Sequence, residues 1–92
     1  MATGYYYSIA YNNTKDHVAQ FSYVYYSNCS EGKLKDKLDT YIVHNNFETG
    51  RTEGPFTTQE EAETMRTDAK SKWKESGYIL GGDNNFFGDC NE

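Results

Sequence analysis

The chain has 92 residues, with nine Lys and Arg against fourteen Asp and Glu, for a net charge of -5. Leu, Ile and Val number three each, so five Phe, nine Tyr and one Trp carry much of the apolar load. A chain of this size buries only about 60–65% of its unfolded surface, which leaves room for one small domain and no deep cofactor cavity.

No run of about 18 apolar residues is present, so a membrane span is not expected. The start, Met1-Ala2-Thr3-Gly4, has no basic stretch followed by an apolar one, so no leader is expected either. A single cytoplasmic domain over 1–92 follows as the expectation, with 81–92 a polar, glycine-rich tail. Cys29 and Cys90 would stay reduced in a cytosol; a bridge between them, the alternative, would close a loop of about 60 residues. The sequons Asn12-Asn13-Thr14 and Asn28-Cys29-Ser30 matter only in an exported chain.

Residues 5–11 alternate, with Tyr5, Tyr7, Ile9 and Tyr11 on one face and Tyr6, Ser8 and Ala10 opposite. That is a strand pattern. Asn12 to Asp16 has the chemistry of a turn. A second strand is expected over 18–26, with Ala19, Phe21, Tyr23 and Tyr25 on one face. The two strands read as an antiparallel hairpin whose aromatic cross-strand pairs add up to about 1 kcal/mol each.

The next stretch is ambiguous. Leu34, Leu38, Tyr41 and Ile42 recur at helical spacing behind a possible cap at Ser30, yet Thr40 to Phe47 is rich in strand formers. The favoured reading is a short helical or irregular piece near 32–38 and a strand over about 39–46. One helix over 31–45 is the alternative. Gly50, Gly54 and Pro55 are expected to break any regular element.

Thr57-Thr58-Gln59-Glu60 then forms a capping box that opens a helix over about 58–76. Acids near its start and lysines near its end suit the helix dipole. Ala62, Met65, Ala69 and Trp73 form its apolar stripe, and Ser76-Gly77 ends it. A short strand over 78–80 returns to the sheet. The expected fold is α+β: a small antiparallel sheet, made of the N-terminal hairpin and one or two further strands, with one main helix on one face.

Chemistry is sparse. Cys29 has no neighbouring cation to activate it, and His17 and His44 are expected at strand ends, facing solvent. No paired Cys or His spacing suggests zinc. Asp83 to Asp89 echoes a calcium loop but has Phe87 at the fifth position and ends too early. Gly81-Gly82 lacks the lysine of a phosphate-binding loop. No cofactor, no metal and no catalytic residue is expected.

Tyrosine-rich strands can stack bases, but an acidic chain lacks the basic groove that phosphates need, which weighs against direct nucleic-acid binding. Exposed tyrosines also suit protein interfaces. The expectation is a non-enzymatic interaction module that binds another protein. One version is an inhibitor, of the kind viruses use against host defence, acting on a nucleic-acid-handling machine. A small-ligand or nucleotide binder with a Tyr-rich pocket is the alternative. Candidate binding residues are Tyr6, Tyr23, Tyr25 and Tyr26 in the hairpin and Asp83 and Asp89 in the tail. A homodimer through a Tyr-rich edge strand is a further expectation. Seven of the nine tyrosines lie in residues 5–26, and three of the five excess negative charges lie in residues 77–92.

Overall fold

A computed structural model describes residues 3–83. Seven elements follow in order: β1 (Gly4–Tyr11), β2 (Val18–Phe21), β3 (Tyr25–Ser27), α1 (Glu31–His44), β4 (Thr49–Phe56), α2 (Gln59–Glu75) and β5 (Ile79–Leu80). The fold is α+β, as expected from the sequence, with five strands and two helices among the described residues.

β1 is the centre of the sheet. It pairs antiparallel with β4 along nearly its whole length, from Tyr5↔Phe56 to Tyr11↔Thr49. Its other edge takes β2 at Ile9↔Phe21 to Tyr11↔Ala19, and then β3 at Gly4↔Ser27 to Tyr6↔Tyr25. Between Ile9↔Phe21 and Tyr6↔Tyr25 the second chain spends one residue more than β1 does. The strand expected over 18–26 is therefore one strand broken by a bulge. Ser22 marks the break: its amide donates to the Ser8 carbonyl at 2.8 Å, and its hydroxyl accepts from the Ser8 amide at 2.8 Å.

The bulge changes which tyrosines share a face. Ala19 and Phe21 join Tyr7 and Ile9 on one side, as the alternation predicts. Past the extra residue the parity reverses, and Tyr25 joins Tyr6, Cys29 and Leu34 on the other side. The expected common face of Phe21 and Tyr25 is thus corrected.

Residues 31–44 are helical throughout, so the strand expected over 39–46 is not formed and His44 closes a helix instead of a strand. Leu34 and Leu38, one turn apart, are buried against the sheet, and the Ser30 hydroxyl accepts from the Lys33 amide at 3.3 Å. That burial outweighs the local strand preference of Thr40-Tyr41-Ile42-Val43. The strand lies further on, at Thr49–Phe56, across the glycines and proline expected to break regular structure. An edge strand tolerates both residue types, because one of its sides makes no ladder bonds.

β5 runs parallel to β2, with Val18↔Ile79 and Ala19↔Leu80. The sheet is therefore mixed, not purely antiparallel. Both its faces are covered: α1 packs through Leu34 on the Tyr6 side, and α2 through Ala69 and Trp73 on the Tyr7 side. The expected single helix layer becomes two, which explains why Tyr6 to Ala10 is buried on alternate and intervening positions alike.

The stripe on α2 is Ala62, Arg66, Ala69 and Trp73. Met65, expected inside, is exposed at 44%, whereas Arg66 is exposed at only 8%. Both choices fit helical spacing. Arg66 is drawn in because its Nε donates to the Ser22 carbonyl at 2.7 Å, at the bulge.

Polar groups cross the core as a short chain. The Ser8 hydroxyl lies 2.9 Å from the Tyr25 hydroxyl and 2.8 Å from the Thr52 hydroxyl. Burial pushes the Tyr25 phenol up to about 12, against the lowering effect of the hydrogen bonds with Ser8 and Thr52. An unfolded phenol ionises near 10, so Tyr25 favours the fold fully below pH 10 and loses that contribution as pH rises toward 12. The loss is expected to be about 2–3 kcal/mol. Urea unfolding at pH 9 and pH 11.5 should show a larger alkaline drop for the wild type than for Tyr25→Phe.

Candidate functional site

On the face covered by α1, a groove of about 660 Å³ lies between α1 and β4. On its α1 side Leu34, Leu38, Ile42 and Val43 form an apolar stripe beside Glu31, Lys35 and Asp39, and Tyr6 also lines it. The opposite side is β4, through Gly50, Thr52 and Gly54. The two glycines let neighbours pack directly on the strand: a Cβ at Gly54 would lie 2.6 Å from the Tyr6 ring. Gly50 is where the helix comes nearest: a Cβ there would lie 2.6 Å from the Ile9 carbonyl and 2.9 Å from Ile42 Cδ1.

Charges ring the groove. Lys35 and Asp39 are joined at 2.7 Å on α1, and both are largely exposed. Glu48, at one end, accepts from the Asn13 amide at 2.6 Å, the Thr14 amide at 3.0 Å and the Thr14 hydroxyl. Those bonds, the Thr14 hydroxyl first, hold the Glu48 carboxyl below its ordinary range. A general acid needs the opposite shift. The groove combines an apolar stripe with charges at its rim.

β4 also presents an open backbone edge. Even-numbered residues of β1 turn toward β2: the Ser8 carbonyl accepts from Ser22, and the Asn12 amide donates to Val18 at 2.9 Å. Tyr7, Ile9 and Tyr11 must then turn toward β4, where they face Glu53, Arg51 and Thr49. The amides and carbonyls of Gly50 and Thr52, between those partners, point away from the sheet. Among the described residues β4 pairs with β1 alone.

The candidates from the sequence are scattered. Tyr6 is 2% exposed and Tyr25 7%, and their rings stack at 5.8 Å within the core. Tyr23 and Tyr26 are half-exposed, at 54% and 50%. Tyr26 packs edge-on against Tyr5 at 5.2 Å, and the Arg66 guanidinium lies 5.6 Å from the Tyr23 ring. Of the four, only Tyr6 reaches the groove.

Asp83 is a structural partner of α2. Its Oδ1 lies 2.8 Å from Arg66 Nη2 and 2.7 Å from Lys70 Nζ. Burial raises the Asp83 carboxyl, but Lys70 and Arg66 together outweigh it and hold the group below its usual value. Asp89 lies outside the described residues.

Cys29 is fully buried and disulfide-bonded, which corrects the expected free thiol. Cys90, the chain's other cysteine, lies outside the described residues. His17 stands before β2 at φ 51°, with its ring edge-on to Tyr78 at 5.6 Å, and is separate from the groove.

The groove residues were partly visible in the sequence. Leu34, Leu38 and Ile42 carried their helical spacing, but Gly50 and Gly54 read as breakers when they are the small residues of a strand.

Comparison with known proteins finds no matching family model, no matching curated protein and no matching solved structure. No helix among the described residues is long and apolar enough to cross a membrane.

Proposed function

We propose that this protein is a non-enzymatic interaction module that holds an extended segment of another protein in the groove between α1 and β4. The observation that carries this reading is the juxtaposition of an apolar helix stripe with an open strand edge. A bound segment adds a strand to β4 through the Gly50 and Thr52 backbone, and places alternate side chains against Leu38, Ile42 and Val43. Main-chain bonds then supply affinity and the side-chain pockets supply selectivity.

The test uses Val43, which is 74% exposed and lines the groove, so that its replacement leaves the fold intact. Val43→Asp is expected to weaken capture of the partner at least tenfold, whereas Met65→Asp, on the exposed side of α2, leaves it unchanged. Equal effects of the two variants would place the interface elsewhere. A melting temperature raised by a metabolite or nucleotide, with no protein partner captured, would favour a small ligand in the groove.

The narrower reading, an inhibitor of a nucleic-acid-handling machine, rests on the chain's size and acidity. The ion pairs of Asp83 with Arg66 and Lys70 neutralise one of the three tail charges on which it drew. Location enters the same test. Most cytosols keep thiols reduced. A cytoplasmic protein should therefore react with a thiol reagent at Cys29 after denaturation without reductant, and a protein from an oxidising compartment should not.

A further inference from the structure

β4 carries an opposite pair of charges placed symmetrically about the residue whose backbone faces outward. The sequence Gly50-Arg51-Thr52-Glu53-Gly54 puts a cation one position before Thr52 and an anion one position after it. Arg51 and Glu53 lie on the same side of the strand, joined at 2.6 Å, with side chains 58% and 33% exposed. Charges on an edge strand commonly keep other strands away. Here the signs are arranged so that one particular strand is matched.

We propose that β4 pairs with β4 of a second copy of this chain, antiparallel and centred on Thr52. Two independent features converge on that register. The parity of hydrogen bonding turns the Thr52 amide and carbonyl outward, and a two-fold axis at Thr52 lets two such residues exchange both bonds. The neighbouring positions then form close, non-hydrogen-bonded pairs, in which Arg51 of each copy stands opposite Glu53 of the other. β4 departs from its regular register with β1 between Glu53 and Phe56, so the matched segment is residues 51–53, with Gly50 beside it carrying no side chain. A shift of one residue in either direction loses the two-fold exchange of bonds at Thr52 and the symmetric charge match.

The second copy and a bound segment use the same outward Gly50 and Thr52 backbone, so strand addition by a partner requires the β4 pair to open, while the α1 wall stays accessible in both states. A two-fold axis normal to the sheet leaves both α1 helices on one face. The groove along one β4 then becomes half of a cleft floored by two β4 strands and walled by two α1 helices. Val43, the most exposed large apolar residue among the described ones, lies on that wall. Dimerisation stands on the β4 edge alone, and its measurement requires no partner protein. Failure of the dimer therefore leaves the groove reading to its own test.

Sedimentation velocity across a hundredfold range of concentration is the experiment. The wild type is expected to pass from monomer to dimer. Arg51→Glu alone and Glu53→Arg alone each set like charges opposite one another and should remain monomeric, with circular dichroism showing both folded. The double variant Arg51→Glu/Glu53→Arg restores opposite charges and should dimerise again. Mixing the two single variants should produce a heterodimer, because all four facing positions then complement one another. A wild type that stays monomeric throughout overturns the proposal. So does a dimer that both single reversals leave unchanged, or single variants that fail to associate when mixed.

Discussion

Phe21→Ala is expected to lower the unfolding free energy by about 3–5 kcal/mol, the cost of removing a large ring from a core that can only partly collapse. Phe21 is 1% exposed, stacks on Tyr7 at 6.1 Å and meets Trp73 edge-on at 6.1 Å. It therefore joins β2, β1 and α2 at one point. A domain of this size has a total stability of about 5–15 kcal/mol, so the variant should retain only part of it or unfold. Phe21→Leu keeps most of the volume and should cost less than about 1.5 kcal/mol. Urea titration followed by fluorescence of Trp73, the chain's one tryptophan, reads both variants at the contact itself.

Arg66→Ala should cost about 2–4 kcal/mol, for a different reason. Its Nε satisfies the Ser22 carbonyl at the bulge, and its guanidinium pairs with Asp83 and covers the Tyr23 ring. Truncation leaves a buried carbonyl without its donor and Asp83 with Lys70 alone. The partial exposure of Asp83 keeps the loss below that of a fully buried pair. Arg66→Met retains the packing of the stem without the charge. Most of the loss should persist in Arg66→Met if the hydrogen bond dominates, and most should be recovered if packing does. Arg66→Lys should recover little, since one ammonium cannot span Ser22 and Asp83 as the planar group does. Chemical denaturation of the three variants separates these contributions.

Arg66 also illustrates what was hidden in the sequence. Met65 and Arg66 both fit the helical stripe, and hydrophobicity favours Met65. The bulge at Ser22 decides otherwise, because it presents a carbonyl under α2 that only a donor can satisfy. The same extra residue turns Tyr25 away from Phe21 and toward Tyr6. Strict alternation over 18–26 carries no sign of it, so the faces of Val24, Tyr25 and Tyr26 are reversed from the sequence reading, while Tyr23 stays on the α2 side.

The groove was obscured for a related reason. Thr40 to Phe47 has the composition of a strand, while Thr49 to Phe56 contains two glycines and a proline. Local propensity assigned them in the wrong order. Burial of Leu34 and Leu38 makes the first helical, and pairing with β1 makes the second a strand. Gly50 and Gly54 then become residues whose missing side chains let Ile42 and the Tyr6 ring pack directly on the strand.

Local patterns in the sequence by themselves determined an α+β fold with an aromatic hairpin, because strand alternation, a capping box and charges at the helix ends are all short-range. The hairpin, the helix beginning near Thr58 and the return strand near Tyr78 were all legible on that basis. The tertiary structure decided which tyrosines remained at the surface, placing Tyr6 and Tyr25 in the core while leaving Tyr23 and Tyr26 half-exposed. It also decided where the excess charge acts: Asp83 is bound to α2, while Arg51 and Glu53, which cancel in any sum, stand on an open edge. Net charge counts residues, whereas recognition depends on which charges share a face and which backbone groups lie between them.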